Sequence, residues 1–227
     1  MATRTQLKFD ELNRLNSPKA VPYREFFGKM HISVAQMKRR IEIAEAIEDA
    51  MLYVFAYWLI RDDLGLSTQD MKKLAREKLQ AVYERFERSD GYLEKHLDTL
   101  SDELIDVTER HTDKTTSADL VNEDESEPTG YWTSLDRAMI IAENEANSLE
   151  NYAEYRTAKE RGFTKKRWLT EKDDKVRLTH TLVDEKTVDI DGLFLVGDSL
   201  MRFPHDTAYD ADASEIVNCR CACVYEP

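Results

Sequence analysis

Lys166-Arg167-Trp168-Leu169-Thr170, then Asp173-Asp174-Lys175-Val176-Arg177-Leu178-Thr179-His180, and finally Asn218-Cys219-Arg220-Cys221-Ala222-Cys223: how these three runs are read decides the fold of the chain. Beyond Gly162 the apolar rhythm changes from helical to short and alternating, the mark of strands and turns. Residues 167–170 predict a strand, 173–180 a helical turn or short helix, and 193–196 a strand closed by a Gly197-Asp198 turn. Met201 and Phe203 belong to one side of an extended segment before Pro204. Residues 216–225 predict a last strand, on which Cys219, Cys221 and Cys223 face the same way because side chains alternate at period two.

Working outward, Ser134 is a natural cap for a long helix with Leu135, Met139, Ala142, Ala146 and Leu149 facing in, and Gly162 is a natural stop for it. Residues 111–130, rich in Thr, Ser, Asp and Glu, have the composition of an acidic linker. Before them lie three helical patterns. The first starts at Ser33 and carries Met37, Ile41, Ala44, Ile47, Met51 and Trp58 at spacings of three and four, ending at Gly65; its last turns, around residues 54–60, are apolar nearly all round. The second runs from Ser67 with Met71, Leu74, Ala75, Leu79 and Tyr83 on one face. The third follows Asp90-Gly91 with Leu93, Leu97, Leu100, Leu104 and Val107, a rhythm that suits helix-on-helix packing. The expected fold class is therefore α+β. A helical bundle (1–110) and the linker (111–130) precede a small α+β domain (131–227), in which the long helix packs on a short curled sheet.

The 227 residues are enough to bury a core, and 34% charged residues with a net charge of −13 describe a soluble chain rather than a whole-surface nucleic-acid binder. The first thirty residues are polar, so no signal peptide is expected, and the longest apolar run is about half what a membrane-spanning helix needs. Three cysteines, all at the C-terminal end, are an odd number and too close together for a disulfide framework. A reducing, cytosolic compartment fits them. Basic residues cluster in the first forty positions and acids in 98–127, so the two ends suit partners of opposite charge.

The residues quoted at the outset, together with Phe194, Gly197 and Pro204, resemble the C-terminal signature of the phage Mu F-like family, the minor head or head-morphogenesis proteins of tailed bacteriophages. The matching positions are Trp168, Asp173 or Asp174, Val176, Arg177, His180 and Asn218 through Cys221. In the preceding helix, Ala142, Glu143, Asn144, Glu145 and then Asn151 and Gly162 stand where the family carries an Ala-Arg-Thr-Glu run, an Asn and a Gly. Glu143 replaces that Arg, so the Arg's role is not carried over. The resemblance implies a structural virion protein, present in few copies in the procapsid and virion head. Its expected partners are the portal and the major capsid protein, with roles in assembly and in DNA packaging or exit. Fold-level kinship with ADP-ribosyltransferases also allows a particle-carried enzyme or toxin-like effector.

Three chemistries are open to the C-terminal runs. Cys219 and Cys221, with His180 and in a wider set Cys223 or His205, offer thiolates and imidazoles suited to zinc; against this, the cysteines can pack as small hydrophobes. Asp173, Arg177 and His180, placed four apart and three apart on a helix, can form an acid/base site or an ordinary ion pair. Nine basic residues within 156–177, beside Phe163 and Trp168, can hold phosphates weakly and without sequence preference. No nucleotide-binding or hydrolase motif is present, so no catalytic residue is assigned and a non-enzyme is expected. In the helical part, Arg39, Arg40, Phe55 and Trp58 are the expected docking residues for a protein partner.

Overall fold

The computed structural model describes residues 14–112 and 130–227, so most of the acidic linker lies outside the described residues. The fold is α+β with a helical N-terminal region. Helices α1 (Ala20–Phe27), α2 (Val34–Leu59), α3 (Thr68–Phe86), α4 (Gly91–Thr112) and α5 (Leu135–Glu160) are followed by strand β1 (Lys165–Leu169). Then come α6 (Leu178–Thr181), β2 (Thr187–Asp189), β3 (Phe194–Val196), β4 (Ser199–Met201), α7 (Ala213–Ile216) and β5 (Ala222–Glu226). The chain divides into two compact units: one of residues 46–142, the other of the described part of 1–45 together with 143–227. This differs from the division expected at the linker. The breaks fall inside α2 and α5, because a long amphipathic helix can give its two ends to different cores without interrupting its own hydrogen bonds.

The helix boundaries follow the caps that the sequence offers. Ser33 and Gln36 bond reciprocally at the start of α2, and Ser67 and Asp70 form a capping box on α3. The Asp90 carboxylate accepts from the Tyr92 and Leu93 amides to start α4. Gly162, at φ 76°, closes α5 with paired bonds from its own amide to Lys159 O and from Phe163 N to Ala158 O, the pattern of a left-handed C-terminal cap.

In the helical unit, Val54, Trp58, Met71, Ala75 and Ile105 form the central cluster. Lys72 pairs with Asp106 while Arg76 pairs with Glu94 and Asp98, so α3 and α4 run antiparallel. Phe55 and Trp58 are each 1% exposed. Phe55 lies under the Arg137 guanidinium, and the Trp58 indole donates to Thr112 Oγ1 at 3.1 Å. Burial therefore corrects their expected docking role: the exposed apolar residues at this end of α2 are Tyr53, Leu59 and, just beyond it, Ile60.

In the α+β unit, three antiparallel strands stand in the order β2-β1-β5, with Trp168 opposite Cys223, and β3 pairs with β4 through the turn at Gly197. Trp168 packs edge-on against Phe194 at 5.2 Å between ring centroids, and Phe203 meets Tyr155 of α5 at the same separation. These contacts join sheet, hairpin and long helix in one core. Two sequence expectations change here. Residues 171–177 are not helical, since Lys172 takes a positive φ of 55° and Arg177 is extended. Nor is 216–221 a strand: α7 and a left-handed Asn218 at φ 59° turn the chain before β5 begins.

Candidate metal centre

The turn at Asn218 is what assembles the site. Its amide donates to Asn144 Oδ1 of α5 at 2.7 Å, and the Cys219 amide donates to Ile216 O, which points Cys219 and Cys221 inward from a loop rather than along a strand. The Cys221 amide reaches back to Cys219 Sγ at 3.5 Å. Across from them, the single turn of α6 carries His180 under the edge of Trp168. His180 Nδ1 lies 3.3 Å from Cys221 Sγ and 3.6 Å from Cys219 Sγ. One ligand atom from each of the three side chains falls within 4.8 Å of the others, so His180, Cys219 and Cys221 form a group that can hold a metal ion. Cys223 is outside it. Buried in β5, its thiol is pushed up by desolvation and acts as a small hydrophobe.

The other nitrogen of His180 donates to Glu215 Oε2 at 2.9 Å, and the Thr179 hydroxyl donates to the same oxygen at 2.8 Å. Glu215 is also why residue 197 is glycine. A Cβ there would stand 2.6 Å from Glu215 Oε1, and the φ of 58° already disfavours a side chain. Electrostatics in the group follow from these contacts. Cys219 is held well below an ordinary thiol, first by the hydrogen bond from Cys221 and then, against the cost of burial, by His180 and His205. Cys221 is pushed up by that same bond and by burial. Burial opposes a charged His180, but the Cys219 hydrogen bond and the Cys219 and Glu215 charges outweigh it, so its pKa is raised.

A second tier of side chains holds this loop from α2 and α5. Arg40 donates to Asn147 Oδ1 at 2.9 Å, to Asn151 Oδ1 at 3.0 Å and to Glu154 Oε1 at 2.9 Å. Asn147 in turn donates to Cys219 O, and Asn151 to Pro204 O. Arg40 is fully buried, which corrects its expected place on a docking surface, whereas Arg39 pairs with Glu150 and keeps its side chain 42% exposed. Asn144, Asn147 and Asn151 recur at helical spacing on one face of α5. Reading the sequence singled out Asn144 and Asn151 but missed Asn147, which the spacing of this polar stripe could have found; Glu215 had no such signal.

The remaining motif residues gather at the mouth. Asp173 pairs with Arg220 at 2.8 Å rather than with Arg177, and Arg177 donates to Val217 O. This replaces the acid/base arrangement expected from a helix, since the loop at 171–177 carries the two side chains apart. A shallow cleft of about 20 Å³ at the group is lined by Glu171, Lys175, Arg177, Asn218 and Arg220, among others. The basic run of 156–177 does not make one patch. Lys166 is buried, donating to Ile190 O, while Lys159, Arg167 and Lys172 are paired with Asp191, Glu226 and Glu185.

Chemically, the group can bind a thiophilic ion, or act as a Cys–His–Glu relay in which the imidazole takes a thiol proton. His180, Cys219 and Cys221 are only 2–3% exposed, which leaves little room for an electrophile.

Glu143 gives a pH prediction for the same unit. Desolvation raises its carboxyl to about 7, with Lys29 opposing only in part. A carboxyl whose pKa is higher folded than unfolded binds its proton more tightly in the native state. Its contribution is complete below about pH 4.5 and lost as pH rises through about 7. Glu143→Gln is expected to stabilise the protein at pH 8 by about 1–2 kcal/mol, after discounting for partial exposure, and to leave it unchanged at pH 4.5. Urea unfolding at the two pH values checks this; equal effects at both would refute it.

Among the described residues no helix is long and apolar enough to cross a membrane. Set against family models, curated proteins and solved structures, the chain matches none of them.

Proposed function

We propose that this chain is a minor capsid or head-morphogenesis protein of a tailed phage or prophage, acting through protein contacts in procapsid assembly. The observation that carries the reading is convergence. Trp168, His180, Asn218, Cys219 and Cys221, quoted from separate runs for their resemblance to the Mu F-like signature, pack around one centre, and Asp173, Arg177 and Arg220 close its rim. A signature whose members hold each other in place is the expected property of a structural module shared by proteins with different N-terminal parts. The partners proposed are the portal and the major capsid protein, with the exposed Tyr53, Leu59 and Ile60 at the end of α2 as docking residues.

Zinc is the proposed ion of the module. With zinc–sulfur and zinc–nitrogen bonds of about 2.3 and 2.0 Å, the edge between a nitrogen and a sulfur of a tetrahedral site is about 3.5 Å. The spacings of 3.3 and 3.6 Å around His180 Nδ1 agree with that edge. The Glu215–His180 bond is the support a ligating imidazole usually has.

The test is to tag the protein, induce particle production, and identify by mass spectrometry what sediments with it in procapsids and mature heads. Low-copy recovery with portal and major capsid protein is expected, reduced by Leu59→Asp. Absence from both particles would refute the assignment. The Cys–His–Glu alignment favours a second reading, a particle-carried enzyme. Expression would then harm a host lacking the phage, and His180→Ala would remove the harm.

A further inference from the structure

Three protein donors do not complete a tetrahedral zinc. Among the described residues, the set of ligand atoms lying within 4.8 Å of one another stops at His180, Cys219 and Cys221. Structural zinc sites take four protein ligands, whereas sites that act on a small molecule take three and leave the fourth place to it. What borders the fourth place here therefore decides what the ion can do.

The cleft of about 20 Å³ is bordered by all three donor residues. That is room for about one water-sized ligand. From Lys175 and Asn218, which are exposed, it leads to the buried His180, Cys219 and Cys221. Elsewhere the group is closed in by protein: Trp168 packs edge-on against the imidazole, and Glu215 takes its Nε2.

Two thiolates cancel the charge of a zinc ion, so the rim sets the preference for a ligand's charge. Lys175, Arg177 and Arg220 line the cleft against one acid, Glu171, whose Oε1 accepts the His31 amide at 2.8 Å. Arg220 is paired with Asp173, but Arg177 donates to a neutral acceptor, Val217 O, which leaves its charge uncancelled by that bond. We propose that the fourth position of the zinc is taken, from this cleft, by an exogenous water-sized ligand that exchanges with small anions. The inference rests on the zinc reading above and deepens it by naming what the ion binds. The ion then ties α6 to the loop before β5 and also presents one exchangeable position, the coordination of zinc that works on a ligand.

The probe is Co²⁺, whose visible spectrum reports coordination, added to the intact, metal-stripped protein. The wild type is expected to bind one equivalent with the intense absorption of a tetrahedral site and a thiolate charge-transfer band. Added thiocyanate is expected to shift the visible bands along a saturating curve, with Co²⁺ still protein-bound on dialysis. Arg177→Gln, its folding checked by circular dichroism, is expected to hold Co²⁺ as tightly but thiocyanate about 2–5-fold more weakly, the size of one exposed charge pair. Bands left unmoved by thiocyanate and azide, or Co²⁺ released by them, would overturn the exchangeable position and leave the zinc reading standing. An unchanged thiocyanate affinity in Arg177→Gln would overturn the part given to the rim. No Co²⁺ or Zn²⁺ binding by the wild type would overturn both the exchangeable position and the zinc reading.

Discussion

Stripping divalent metal from the purified protein with a strong chelator is expected to lower the melting midpoint of the α+β unit by about 10 °C. Zinc, and not magnesium, should restore it. The size follows from linkage: an ion that binds only the native state, present at about a thousand times its dissociation constant, stabilises by about 4 kcal/mol. For a protein of this length each kcal/mol moves the midpoint by about 2–4 °C. The selectivity follows from the donors, since thiolate and imidazole favour zinc while magnesium takes oxygen. Cys221→Ser should lie near the chelated midpoint and no longer respond to the chelator. If the purified protein holds no stoichiometric zinc and melts identically with and without chelator, His180, Cys219 and Cys221 are a hydrogen-bonded triad and no more.

The second large effect is expected at Arg40. Arg40→Ala should destabilise the α+β unit by about 3–5 kcal/mol, because it leaves Asn147, Asn151 and Glu154 without the donor that each was desolvated to meet. Arg39→Ala should cost about 1 kcal/mol, since its guanidinium is already partly in solvent. Urea unfolding of the two variants, read by a signal specific to the α+β unit, measures the contrast. Similar small losses would mean that the buried network contributes little. A double-mutant cycle between Arg40 and Asn147 should also show coupling, as the two share one chain of bonds to the Cys219 carbonyl.

This contrast shows why adjacent arginines could not be told apart from the sequence. Arg39 and Arg40 are chemically identical and stand one position apart on α2. A helix turns about 100° between them, so one faces solvent and Glu150 while the other points at the asparagines of α5. Phe55 and Trp58 were misplaced for a related reason. Apolar residues all round a helix imply that something covers more than one side, but not whether the cover belongs to the same chain. Here it does for Phe55 and Trp58, and not for Leu59.

By itself the sequence determined what is local. Ser33, Ser67, Asp90 and Ser134 start helices because a short polar side chain meets free amides there, and Gly162 stops one because it tolerates a left-handed φ. The strand at Trp168, the Gly197 turn and the α+β class were legible for the same reason: period and turn chemistry are properties of neighbouring residues. Only the tertiary structure decided the site. Cys219 and Cys221 were expected on a strand, and a positive φ at Asn218, held by Asn144 from a helix far away in sequence, put them on a loop facing His180. Asp173 found Arg220 instead of Arg177, and Glu215 and His205 acquired their partners through contacts that no spacing encodes. Hydrogen bonds between distant segments depend on how the core closes, and core closure is a property of the whole unit rather than of any stretch within it.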